Sequence, residues 1–187
     1  MIFALSNSAF SKEISIQIDK DLIYHQELQP TPENKQSQTL TNYEGFKFKV
    51  FYNSYSLYWQ SRSHQNNLKI GKRMSENFEL GLILGYDART NFDYRDKTAG
   101  LFFLHYTNFS NSSLETSLDL TASNKSVKSN TPKNENSKRH TLGIDYIYNL
   151  NETLKGAVGA SIISQIGGEN GDYTALQLRI LSLRFTF

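Results

Sequence analysis

The chain has 187 residues, enough for one domain and too few for two comfortable ones. Its formal charge of +2, with 20 Lys+Arg against 18 Asp+Glu spread along the sequence, leaves no basic patch of the kind nucleic acid requires. With Cys 0, a disulfide scaffold, a thiol nucleophile and Cys-ligated zinc are all excluded, and neither a metal-ligand spacing nor a cofactor motif is present.

Mean hydropathy is -0.52, and no apolar run approaches the ~18–20 residues of a transmembrane helix. A membrane-crossing strand needs only about 9–11 residues, half of them facing lipid, so such a chain reads as polar on average. The 12 Phe and 11 Tyr, against only 3 Pro, favour strands over helices.

At the start, Met1-Ile2-Phe3-Ala4-Leu5 is apolar and Ala9-Phe10-Ser11 supplies small residues near a cleavage site. Residues 1–11 are accordingly set aside as a signal-peptide remnant or flexible tail, with residues 12–187 as a single domain. Ile14, Ile16 and Ile18 open a first strand, which a polar segment around Pro30 and Pro32 ends. Next, Phe46, Phe48, Val50 and Tyr52 alternate with Lys47, Lys49 and Phe51. The apolar parity then switches to Tyr55, Leu57 and Trp59, as a two-residue hairpin at Asn53-Ser54 would require. That hairpin sets Tyr52 opposite Tyr55, Val50 opposite Leu57 and Phe48 opposite Trp59.

The clearest alternation runs from Phe78 to Asp87, with Phe78, Leu80, Leu82, Leu84 and Tyr86 on one face. It recurs at 99–107, where Gly100, Phe102, Leu104 and Tyr106 are assigned to the apolar face and Leu101 and Phe103 to the other. Further strands carry Leu114–Leu120, Leu142–Tyr148 and Leu154–Ile162. Near the end, Leu176, Leu178 and Ile180 fall out of phase with Leu181, which predicts a β-bulge near residue 180.

Short turns at 53–54, 75–77, 110–113 and 151–153 alternate with longer polar connections at roughly 28–36, 63–67, 88–97, 122–139 and 166–171. This rhythm belongs to an antiparallel up-and-down barrel with tight turns at one end and longer loops at the other. Four short and five long connections require ten strands, with both termini at the short-turn end. Eight strands is the alternative, if 12–26 is a tail and 43–62 one bulged strand.

Period two alone does not say which face meets lipid. Aromatic residues near strand ends (Tyr52, Tyr55, Trp59, Phe78, Tyr86, Tyr106, Phe109, Tyr146 and Tyr148) match the rings found at membrane interfaces. The last strand has Leu183, Phe185 and Phe187 at alternate positions and ends on Phe. This resembles the C-terminal signal of bacterial outer-membrane β-barrel proteins of the porin-like superfamily. The resemblance implies an outer-membrane location with periplasmic termini, insertion by the barrel-assembly machinery, and contact with outer-membrane lipid and lipopolysaccharide.

On this register the lumen receives Lys47, Lys49, Lys69, Arg73, Lys155, Arg179 and Arg184, with Glu79, Asp87, Glu115, Asp119 and Asp145. Charges enclosed in so narrow a space must be paired or hydrated. A filled, charge-paired lumen is therefore expected, with Phe51, Tyr58, Leu101 and Phe103 taking the remaining volume. The corresponding role is structural or interactive, including membership of a larger envelope complex. The alternatives are a narrow pore and a hydrolase sited in the loops. Of the four histidines, His25, His64 and His140 fall near outer loops and His105 does not; an acid–base pair of His140 with Asp172 or Asp93 has no motif behind it. The segments 88–97 and 121–139 read as solvated loops, the latter rich in Lys, Asn and Ser.

Overall fold

Each period-two segment pairs with its neighbour in the chain. A computed structural model describes residues 13–27, 38–62, 65–89, 94–127, 133–167 and 172–186; the N-terminal segment 1–11 and Phe187 lie outside the described residues. These form ten strands: β1 (Glu13–Glu27), β2 (Gln38–Tyr52), β3 (Tyr55–Arg62), β4 (Gln65–Ser75), β5 (Phe78–Arg89), β6 (Tyr94–Asn108), β7 (Ser112–Val127), β8 (Lys133–Asn149), β9 (Leu154–Gly167) and β10 (Tyr173–Thr186). All pairings are antiparallel, and β1 pairs with both β2 and β10, closing the sheet. Closure satisfies the backbone donors and acceptors that an open edge would leave exposed, a necessity in hydrocarbon.

The strands are strongly staggered. Following paired residues around the barrel from Glu13, the path passes Phe51, Ser56, Gly71, Gly81, Phe102, Asp119, Thr141, Ile163 and Ala175, and re-enters β1 at Glu27. Such a shear tilts the strands by about 35–45° from the barrel axis.

The Asn53-Ser54 hairpin forms in the predicted register, Tyr52 to Tyr55, Val50 to Leu57 and Phe48 to Trp59. Asn53 takes a positive φ of 54°, the left-handed conformation that such a turn demands and Asn tolerates. The predicted bulge is also present. Register breaks between Arg179 and Ser182 against β9, and both Ile180 and Leu181 end up exposed on the outer wall.

Two expectations are corrected. First, the polar segment 121–139 is mostly strand: β7 and β8 stay paired from Ala122–Lys138 to Val127–Lys133. Their side chains are polar because the hairpin rises above the apolar band, and Ser123 with Ser137 and Asn124 with Asn136 hydrogen-bond across it at 2.8 and 2.7 Å. Likewise β5 runs on to Arg89 and β6 begins at Tyr94, so strand occupies much of 88–97.

Second, β6 faces the other way. Phe102 is fully buried and Leu104 nearly so, while Leu101 and His105 are exposed on the outside. Phe103 pairs with Leu80 and Leu118 on that outer face. Both parities of this strand are apolar, so alternation gives no direction. The turn that follows Asn108 pairs it with Ser113, which sets Tyr106 across from inward Glu115.

The outer wall is apolar through its middle: Leu57, Ile70, Leu82, Leu101, Leu142, Ile144, Val158 and Ile162 are all large, hydrophobic and exposed. In water this continuous belt would be a liability. In a bilayer it is the lipid-facing surface.

Candidate functional site: the barrel lumen

Inside the barrel, towards the short turns, one buried cluster lies along β2, β3, β5 and β6. Phe51, Tyr58, Ile83, Phe102 and Leu104 are buried against one another, with Tyr106 packed beside them. Tyr58 meets Phe51 and Phe102 edge-on, with ring centroids 6.0 Å apart in each case. The rings fit because β4 and β5 carry paired glycines beneath them. A Cβ on Gly81 would stand 2.1 Å from the Ile70 carbonyl oxygen and 2.7 Å from the Phe102 ring. One on Gly71 would stand 2.3 Å from the Glu79 carboxylate.

Glu79 is fully buried within this cluster. Its two carboxylate oxygens accept hydrogen bonds from the Ser56 hydroxyl and the Tyr58 hydroxyl respectively. Two cations cover the rings. The Lys49 ammonium lies 4.5 Å from the centroid of Phe51, 4.8 Å from Tyr58 and 5.4 Å from Tyr106, and the Arg73 guanidinium lies 4.2 Å from Phe51. Cation–ring contacts of this kind gain strength when water is excluded.

Above the cluster the lumen is polar. Lys69 from β4 donates to both carboxylate oxygens of Asp119 on β7, at 2.9 and 2.7 Å, while its ammonium sits 5.2 Å from the Phe102 ring. Arg179 from β10 pairs with Asp145 on β8. Arg139 donates to the Gln165 side chain near the loop end at 2.9 Å. Between these groups lie two cavities of about 200 and 160 Å³, the first walled by Lys49, Tyr106, Glu115 and Asp145 and the second by Ile83, Asp96, Thr98 and Arg139.

Of the charges assigned to the lumen, Lys49, Lys69, Arg73, Glu79, Glu115, Asp119, Asp145 and Arg179 are inside as expected. Lys49, Lys69, Glu115, Asp119, Asp145 and Arg179 all line one cavity, with Lys69–Asp119 and Arg179–Asp145 as ion pairs within it. Lys155 sits at the short-turn mouth opposite Asn149. The side chains of Lys47, Asp87 and Arg184 lie outside the described residues, as do those of Phe185 and Phe187; Leu183 is partly buried.

The rim residues divide. Tyr52, Tyr55 and Phe109 are exposed at the short-turn end, joined by Tyr146 and Tyr148, which stack on each other at 6.5 Å, and by partly buried Phe78. Tyr86 is exposed towards the loop end. Trp59 is exposed on the outer wall but in the middle of β3, paired with Phe48 and Leu68. Tyr106 is not a rim residue: its hydroxyl lies 3.5 Å from that of Tyr58 inside the lumen. The polar partners that the sequence reading missed, Ser56 and Gln165, carry no pattern to mark them.

No loop-sited catalytic group assembles among the described residues. His140 is exposed on the outer wall of β8, paired with Leu120 and Ser164, and the Asp172 carboxylate accepts the Gly167 backbone N–H instead, at 2.8 Å. His25 and His64 and Asp93 lie outside the described side chains. No His/Asp/Glu group suited to a metal ion occurs among the described residues.

Closed antiparallel topology, an outward apolar belt and a polar interior define a small bacterial outer-membrane β-barrel. Among solved structures the chain is similar to the outer membrane protease OmpT from Escherichia coli, with 10% identity, a TM-score of 0.52, and coverage of 97% of this chain and 99% of that one. It is also similar to Neisserial surface protein A (10% identity, TM-score 0.48, 95% and 99% covered) and to the N-terminal β-barrel domain of Pseudomonas aeruginosa OprF (14% identity, TM-score 0.42, 95% and 100% covered). At such identities a likeness speaks to fold and not to chemistry. No known protein family and no curated protein matches the sequence.

Proposed function

We propose that this barrel is a non-conducting structural or interaction component of the outer membrane, with its short turns and both chain ends on the periplasmic side and its extended hairpins outside. The supporting observation is the buried cluster of Phe51, Tyr58, Phe102 and Leu104 around Glu79, which projects into the lumen towards the short-turn end. Insertion by the barrel-assembly machinery follows from the alternating apolar residues of the last strand. The surfaces available to a partner or a larger envelope complex are the polar strand extensions past the apolar belt, those of β7 and β8 above all.

Single-channel recording in planar bilayers tests this reading. The wild-type barrel is expected to show no steady current, and joint replacement of Phe51, Tyr58 and Phe102 by Ala is expected to produce discrete steps. Steady wild-type conductance that changes with Lys69→Ala or Glu115→Ala would overturn it in favour of a narrow pore, for which the two polar cavities would then be the path.

A further inference from the structure

The outer wall is not uniform. Near the loop end, Ala99 on β6 and Ala122 on β7 lie directly opposite each other, both exposed, where the neighbouring positions of the belt hold large side chains. Leu84 and Tyr86 stand on one side of this small-residue floor and Ile166 on the other, exposed by 50%, 44% and 51%. The result is a groove of about 940 Å³ along the outside of the barrel.

Two lysines border it. Lys97 pairs with Tyr86 and Asn124, and Lys138 pairs with Ala122 and Ile166; both are exposed on the outer wall. No described carboxylate lines the groove, and among the described residues neither lysine has an ion-pair partner. Below them the wall returns to Leu101, exposed, and Leu120, so the ammonium groups sit where the apolar belt gives way to polar side chains. That is the level of lipid headgroups, where an amine at the end of an apolar stem is stable and an anion is attracted.

We infer that this groove seats a phosphorylated lipid of the outer leaflet of the lipid A type, an acyl chain lying over Ala99 and Ala122 and a phosphate held by Lys97 and Lys138. The charge pattern favours this occupant over a second copy of the chain. A two-fold contact through the same patch would bring the lysines of both copies together with no carboxylate between them. The inference rests on the proposal that the hairpin end faces outward.

The test is titration of the folded barrel in detergent micelles with bisphosphoryl lipid A, read by native mass spectrometry. Heat-modifiable gel migration confirms that each variant is folded. Lys97→Gln and Lys138→Gln are each expected to weaken binding about fivefold, and together roughly thirtyfold, at the strength of a basic side chain near a lipid surface. Ala99→Trp fills the groove and is expected to weaken binding with both lysines intact, whereas Lys72→Gln, on the outer wall at the other end, is not. Equal binding by the double lysine variant overturns the inference. So does full competition by inorganic phosphate, which would mark a free-phosphate site, or a lipid-independent dimer cross-linked through an Ala122→Cys variant. Protease shaving of intact cells tests the orientation separately: absence of cleavage in the β7–β8 hairpin would sink the outward placement while leaving binding in micelles to be judged on its own.

Discussion

Leu82→Arg separates a lipid-facing wall from a water-facing one. Leu82 lies midway along β5, is 54% exposed, and is flanked across the sheet by Ile70 and Leu101, each 44% exposed. An arginine there has no outward-facing carboxylate beside it on either neighbouring strand. At the midplane of a bilayer such a substitution costs about 2–4 kcal/mol, a thirtyfold to nearly thousandfold change in the folding equilibrium. At a water-exposed surface the same change would fall within about ±0.5 kcal/mol. The assay is urea-induced unfolding in lipid vesicles, followed through the single Trp59 on the adjacent outer wall. Leu82→Ala is the control, since it trims an outward side chain without adding charge. An Leu82→Arg barrel as stable in vesicles as the wild type would refute the assignment of this wall to lipid, and with it the membrane reading.

The lumen makes its own predictions. Glu79→Ala removes the acceptor for two buried hydroxyls, those of Ser56 and Tyr58, and is expected to cost about 1–3 kcal/mol for each group left unsatisfied; unchanged unfolding midpoints would contradict the buried geometry. Gly81→Ala drives a methyl group into the Ile70 carbonyl and the Phe102 ring. Its expected penalty of about 1–3 kcal/mol should be relieved only in part by Phe102→Leu, because the Ile70 carbonyl and the Gly71 Cα stay in place; a double-mutant cycle measures the share carried by the ring.

Much of the wall was legible before folding because its determinants are local. The two-residue turn at Asn53-Ser54 sets the β2–β3 register through turn geometry alone, and the phase slip after Ile180 announces the bulge because an extra residue must reverse the facing of everything beyond it. The strand Phe78–Arg89 shows its two faces because glycines and charges occupy one and large apolar residues the other.

What the tertiary structure decided is whatever depends on curvature and on contact across the barrel. In β6, two apolar faces compete and alternation is silent; Phe102 turns inward because paired Gly71 and Gly81 leave room for its ring and because the turn that follows Asn108 aligns Tyr106 with Glu115. The charged residues of the interior were identifiable one by one, but not as couples. Lys69 finds Asp119 from a strand three places away, and Arg179 finds Asp145 across β9, only once the sheet has closed. The polar stretch around Ala122–Lys138 read as loop because side-chain pattern reports the solvent on each face, whereas the strand itself is maintained by backbone pairing that composition does not record. Period two in the sequence thus established strands with two unlike faces; closure decided which groups those faces bring together.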